Sequence, residues 1–169
     1  MTKVMEWLKA KAPGFNELSE DEQNAIVDFS LLWSLFENRI LNTEGNVATI
    51  CAAVEDWHAA KTLDVAAFSA ELSYFRHRYY AEGAVTYHFA HLNFRKPDRQ
   101  PIVNGVIDGS DNDPRSVMAA ILIIVFRYRN NLFHGEKWRY KLKDQLGNFT
   151  AANNVLTKVL DRHGGLAEG

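Results

Sequence analysis

The feature that most constrains this chain is Val117 to Phe126, ten consecutive apolar residues with no polar face to turn toward water. A segment apolar on all sides must be either the buried centre of a packed domain or part of a membrane span. A span needs about 20 such residues, and Arg127 ends this run early, so the sequence predicts a core helix and no contact with a membrane. Ile121 to Val125 is β-branched enough to imitate a strand. The length of the segment Ser116 to His134, and the lack of strands to pair with it, decide for helix. Gly135 then supplies the left-handed residue that commonly follows a helix.

Amphipathic segments elsewhere can cover that helix. Ser19 followed by Glu22 is a capping-box signal. Behind it Ile26, Phe29, Trp33, Phe36 and Ile40 recur at spacings of 3, 4, 3 and 4, one stripe of a helix that runs to about Asn42. Gly45 and Asn46 mark a turn, and Val47 to Lys61 reads as a second helix burying Ile50, Val54 and Trp57. Asp64 is placed to cap a third, with Phe68, Leu72, Phe75 and Tyr79 in the same period. A final helix, about Lys141 to Arg162, carries Leu146, Phe149, Val155, Leu156, Val159 and Leu160 on one side.

Residues 84–94 fit either a short helix or an extended piece. From Arg95 to Pro114 the chain holds three of its four prolines, and it reads as a long loop with a small hairpin around Asn104-Gly105. The expectation is one domain over residues 1–169, all-α, a bundle of about five helices with one long loop insertion.

Several chemistries drop out on residue types alone. Cys51 is the single cysteine, which forbids an internal disulfide or a cysteine-rich zinc site. His88 and His91 sit three apart, but no cysteine or acid cluster accompanies them. The acidic run Asp108 to Asp113 lacks the glycine that a calcium loop needs at its sixth position, and Ala119 stands where the twelfth requires Glu. No metal and no cofactor is expected. The N-terminus lacks an apolar stretch leading to a cleavage site, so a reducing, cytoplasmic setting is the expectation.

Net charge is −2 overall, yet it is unevenly spread. Residues 17–64 carry ten acids against Arg39 and Lys61, a local net of −8; residues 127–143 carry six bases against Glu136, a local net of +5. The basic segment can attract phosphate, and Lys137, Arg139 and Lys141 are its candidate RNA contacts.

That segment begins with the motif that carries chemistry. Phe126-Arg127-Tyr128-Arg129-Asn130-Asn131-Leu132-Phe133-His134-Gly135 ends the most apolar helix with arginines, amides and a histidine. Burying such groups without partners costs about 1–3 kcal/mol each, so they are there to pair or to act. Arg129-Asn130, three residues, then His134 resembles the signature of the HEPN superfamily (higher eukaryotes and prokaryotes nucleotide-binding), Arg and His separated by four to six residues with a polar residue after the Arg. Arg127 also fits, with six residues intervening. On a straight helix Arg127, Asn130 or Asn131, and His134 share a face, whereas Arg129 and His134 lie about 140° apart.

The resemblance implies a HEPN-like helical domain that works as a homodimer and cleaves RNA without metal, by attack of a ribose 2′-OH on the adjacent phosphate. Arg129, Asn130 and His134 would be catalytic, with Arg127, Asn131 and the first-helix acid Glu37 in support. It also suggests a toxin or effector in bacterial toxin–antitoxin or phage-defence systems, with a protein antitoxin as a further partner. Toxins of this family that are silenced by AMP transfer carry Tyr two residues after the His; Glu136 stands there, so that inhibition is not expected. The alternative implied by the same resemblance is a catalytically silent dimer module that binds RNA, a nucleotide or a protein.

Overall fold

The computed structural model describes residues 1–140 and 142–167, with Arg139 and Tyr140 described by their backbone alone. The fold is all-α. Its helices are α1 (Lys3–Lys11), α2 (Glu20–Arg39), α3 (Val47–Ala59), α4 (Ser69–Tyr79), α5 (Tyr87–Ala90), α6 (Gln100–Ile107), α7 (Pro114–Phe133) and α8 (Leu146–His163). A two-residue hairpin, β1 (Tyr80–Ala81) and β2 (Ala84–Val85), joins α4 to α5 with Tyr80 opposite Val85. Its turn uses Glu82 and Gly83, both at positive φ, the conformation that tight two-residue hairpins require.

α7 is the axis of the domain. Every residue from Val117 to Tyr128 is buried, and α3, α6 and α8 pack around it. By length and composition it is a helix that could cross a membrane; here its apolar surface is covered by the other helices. Asp113 starts it by accepting a hydrogen bond from the Arg115 N–H at 2.9 Å, and Pro114 occupies the first turn, where a missing N–H costs nothing.

α2 opens with the capping box read from Ser19 and Glu22. It buries Phe29, Trp33 and Phe36, each contributing roughly 1.5–3 kcal/mol by leaving water. Trp33 meets Phe126 at 6.0 Å between centroids, and Ile26 packs in the same small cluster as Leu132. α2 therefore runs antiparallel to α7. The C-terminal ends of α2 and α8 meet where Arg39 donates to the Gly164 and Gly165 carbonyls.

Three local expectations are corrected. The segment 95–114 is no open loop: a 3-10 turn (Lys96–Asp98) leads through Arg99, at φ 53°, into α6. Pro101 lies in the first helical turn, and Val103, Val106 and Ile107 recur at helical spacing to reach the core. Asn104-Gly105 is inside that helix, where a Cβ on Gly105 would stand 3.2 Å from Asp111 Cβ. Asp64 does not cap α4, which starts after a 3-10 turn (Ala66–Phe68) with no side-chain cap; it faces Arg162 at 3.9 Å instead. The last helix begins at Leu146, after a 3-10 turn (Glu136–Tyr140) that follows α7.

Candidate functional site at the end of the central helix

Residues 127–134 wind around the last two turns of α7, so the fold sends neighbouring side chains to different surroundings. Arg127 points inward. Its Nε donates to the Leu92 carbonyl at 2.9 Å and its Nη1 to Asp98 Oδ2 at 3.0 Å. Asp98 is itself buried and accepts the Arg95 backbone N–H at 2.7 Å. Burial pulls the guanidinium pKa below its ordinary value, and Asp98 opposes that shift. Asn131, one turn on, donates to the carbonyls of His91 and Leu92 at 3.1 and 3.2 Å and accepts from Asn93 at 3.3 Å. Arg127 and Asn131 therefore pin the 91–98 segment to α7, a task of architecture.

Arg129 takes the opposite course. It is half-buried, its Nη1 donates to Asn130 Oδ1 at 2.9 Å, and its guanidinium carbon lies 5.2 Å from the centre of the Phe133 ring. Its Nε is buried without a hydrogen-bond partner among the described residues. Phe133 is 52% exposed, so ring and arginine share an open edge of the molecule. His134 caps the helix: its backbone N–H reaches the Asn130 carbonyl at 2.9 Å, and its side chain is exposed. Gly135 follows at φ 78°. The structure thus joins Arg129 to Asn130, while His134, five residues along a regular helix, leaves at about 140° to Arg129.

Glu37 is not brought to this end. Because α2 is antiparallel to α7, the turn beyond Trp33 travels away from His134. The carboxylate lies over the α2–α3 turn, where a Cβ on Gly45 would fall 2.0 Å from Glu37 Oε1.

Of the three expected RNA contacts, the side chain of Arg139 and all of Lys141 fall outside the described residues. Lys137 is the surprise. Charge patterning put it on a solvated basic face, but it is only 6% exposed. It lines a cavity of about 280 Å3 together with Arg78, Tyr79, Tyr87, His88 and Asn148. Its Nζ lies 5.9 Å from the centre of the Tyr128 ring. Burial, and then the like charge of Arg78, bring its pKa down from 10.5 to about 8.

Tyr79, on the cavity wall, is paired with Tyr128, and the hydroxyls of these two buried phenols are 2.5 Å apart. Burial raises both pKa values, so near neutral pH they are uncharged donors and acceptors. Burial, with Arg78 second, lowers that of His88. In the sequence the spacing of His88 and His91 bears only on metal binding, and nothing singles out Arg78. The one available signal was the basic end of α4, Arg76-His77-Arg78, which does not reveal which member turns inward.

No known protein family, curated protein or solved structure matches this chain.

Proposed function

We propose that this chain is a HEPN-like, metal-independent endoribonuclease that acts as a homodimer, with Arg129, Asn130 and His134 as its catalytic set. The observation that carries the proposal is the contrast within one helix. Arg127 is neutralised by Asp98, whereas Arg129 has an amide and an aromatic ring for company and no carboxylate partner among the described residues. A guanidinium held in that way is ready to take a phosphate through paired N–H donors. Histidine is the side chain suited to moving protons near neutral pH.

The divergence of Arg129 and His134 supports the need for two copies. One helix cannot close both side chains on a single phosphate, but a partner's His134 can approach from the other side. Phe133 gives the edge an exposed apolar ring that a second copy would cover. In the reaction, His134 withdraws the proton of a ribose 2′-OH, and the oxygen attacks the adjacent phosphorus. The P–O5′ bond breaks, the leaving 5′ oxygen takes a proton back from the histidine imidazolium, and the products are a 2′,3′-cyclic phosphate and a 5′-OH. Arg129 offsets the charge that builds on the phosphoryl oxygens, and Asn130 holds Arg129 in place. Use of the 2′-OH restricts the substrate to RNA. Such an activity suits a toxin or defence effector in the cytoplasm held in check by a protein antitoxin.

The test is cleavage of single-stranded RNA in EDTA by protein whose light-scattering mass is twice 19.2 kDa. His134→Ala and Arg129→Ala should each lower the rate by about 10²–10⁴-fold with the fold intact. Cleavage that survives His134→Ala, or that needs added metal, would falsify this mechanism. The angle between Arg129 and His134 also favours a second reading, a silent RNA- or protein-binding dimer. A folded dimer that cuts no RNA selects it.

A further inference from the structure

Arg129, Asn130 and His134 do not line the cavity between α4, α5 and the turn after α7. We propose that this cavity is a separate binding site for a small phosphate monoester carried on a planar ring, with the phosphate held between Lys137 and Arg78.

The geometry is that of a built anion site. Lys137 is more than nine-tenths buried and lines the cavity, and among the described residues it makes no ion pair. Removing an ammonium from water without a counter-charge is costly, and folds keep such groups chiefly where they act on something. Arg78 stands beside it with a side chain only 14% exposed and an Nε that is buried and unpartnered among the described residues. The carboxylate that answers Arg78 is Asp144, at a long 3.4 Å and itself 72% exposed. Lys143, the third cation on the lining, is turned toward Glu17 at 3.2 Å.

Charge and valence favour phosphate over a simple carboxylate. A phosphate monoester carries nearly two negative charges at neutral pH and three acceptor oxygens. It can therefore accept from Lys137 Nζ and the Arg78 guanidinium together, with His88 as a further neutral partner. At the mouth Tyr87 is 71% exposed and lies 4.0 Å from His88, centroid to centroid. Those two rings offer a face on which a planar ring can lie. About 280 Å3 is near the lower limit of small-molecule sites, enough for one ring and its phosphate and too small for a nucleic-acid helix.

This inference stands independently of RNA cleavage at Arg129 and His134, because it uses other residues and a binding readout. The experiment is calorimetric titration of the full chain with phenyl phosphate, with phenol as the phosphate-free control and inorganic phosphate as competitor. Phenyl phosphate should bind, inorganic phosphate should displace it, and phenol should bind at least about tenfold more weakly. Lys137→Met and Arg78→Gln should each weaken phenyl phosphate by roughly tenfold or more while melting cooperatively. In the unmodified chain, trace acetylation of Lys137 should slow several-fold when the cavity is occupied, a readout that needs no variant to fold. A mononucleotide and a 5′-phosphorylated oligoribonucleotide, each against its dephosphorylated form, then tell a free metabolite from an RNA end. No binding of either phosphate probe, equal affinity for phenol, or unprotected Lys137 at saturation overturns the proposal.

Discussion

Arg127 and Lys137 are two cations taken almost wholly out of water, at 2% and 6% exposure, and the fold treats them in opposite ways. Around Arg127 it assembles a carboxylate and a carbonyl at hydrogen-bonding distance. Around Lys137 it offers a tyrosine ring, the like charge of Arg78 and a cavity. A cation that is fully answered inside the protein holds the protein together. One that is left half-answered beside open space is available to something outside it.

That contrast is broken most directly at the buried pair. Arg127→Ala strands the Asp98 carboxylate in the interior and should cost about 3–5 kcal/mol, read from urea unfolding. Asp98→Ala should cost a similar amount from the other side, whereas Arg127→Met with Asp98→Leu removes both charges and should recover most of the loss. If Arg127→Ala melted like the parent chain, the pair would be ornament and Arg127 would return as a candidate for the RNA site.

Lys137→Met should change stability with the opposite sign. It removes a poorly solvated charge and keeps most of the side chain's volume, so stability at pH 7 should rise by on the order of 1–3 kcal/mol. Loss of stability would mean that Lys137 has a partner the cavity geometry does not reveal.

The pH dependence sharpens the same point. Because the folded-state pKa is near 8 and the unfolded value is 10.5, the unfolded chain binds more protons between those limits. Stability therefore rises with pH across that window: the penalty for the buried charge is complete below about 8 and gone above 10.5. Subtracting the Lys137→Met profile from that of the parent isolates this rise, and superimposable profiles would remove it.

The smallest effect belongs to the cation already paired in solvent. Lys143→Ala breaks an exposed contact with Glu17 and should shift stability by less than about 1 kcal/mol.

The same division shows in what could be read before the fold was known. Helices α2, α3, α7 and α8 were legible because each carries a long apolar stripe or run that only one period satisfies. Helix α6 was hidden by Pro101, Asn104 and Gly105, residues that usually signal turns, although Val103, Val106 and Ile107 kept helical spacing beneath them. At the candidate site the motif located Arg129 and His134, and it could not say which arginine was engaged. The answer for Arg127 lies in Asp98, 29 residues away along the chain.

What the sequence determined by itself was the class of fold and the helix end on which arginines, amides and a histidine cluster, because hydrophobic period and local motif are written in neighbouring residues. What only the tertiary structure decided was the state of each charge. Glu37 was carried away from the Arg129–His134 end by the antiparallel run of α2, Arg127 was neutralised by a distant carboxylate, and Lys137 was drawn from an apparent basic surface into a cavity beside Arg78. Burial and pairing depend on which distant segments meet, and a linear pattern of charges does not contain that information.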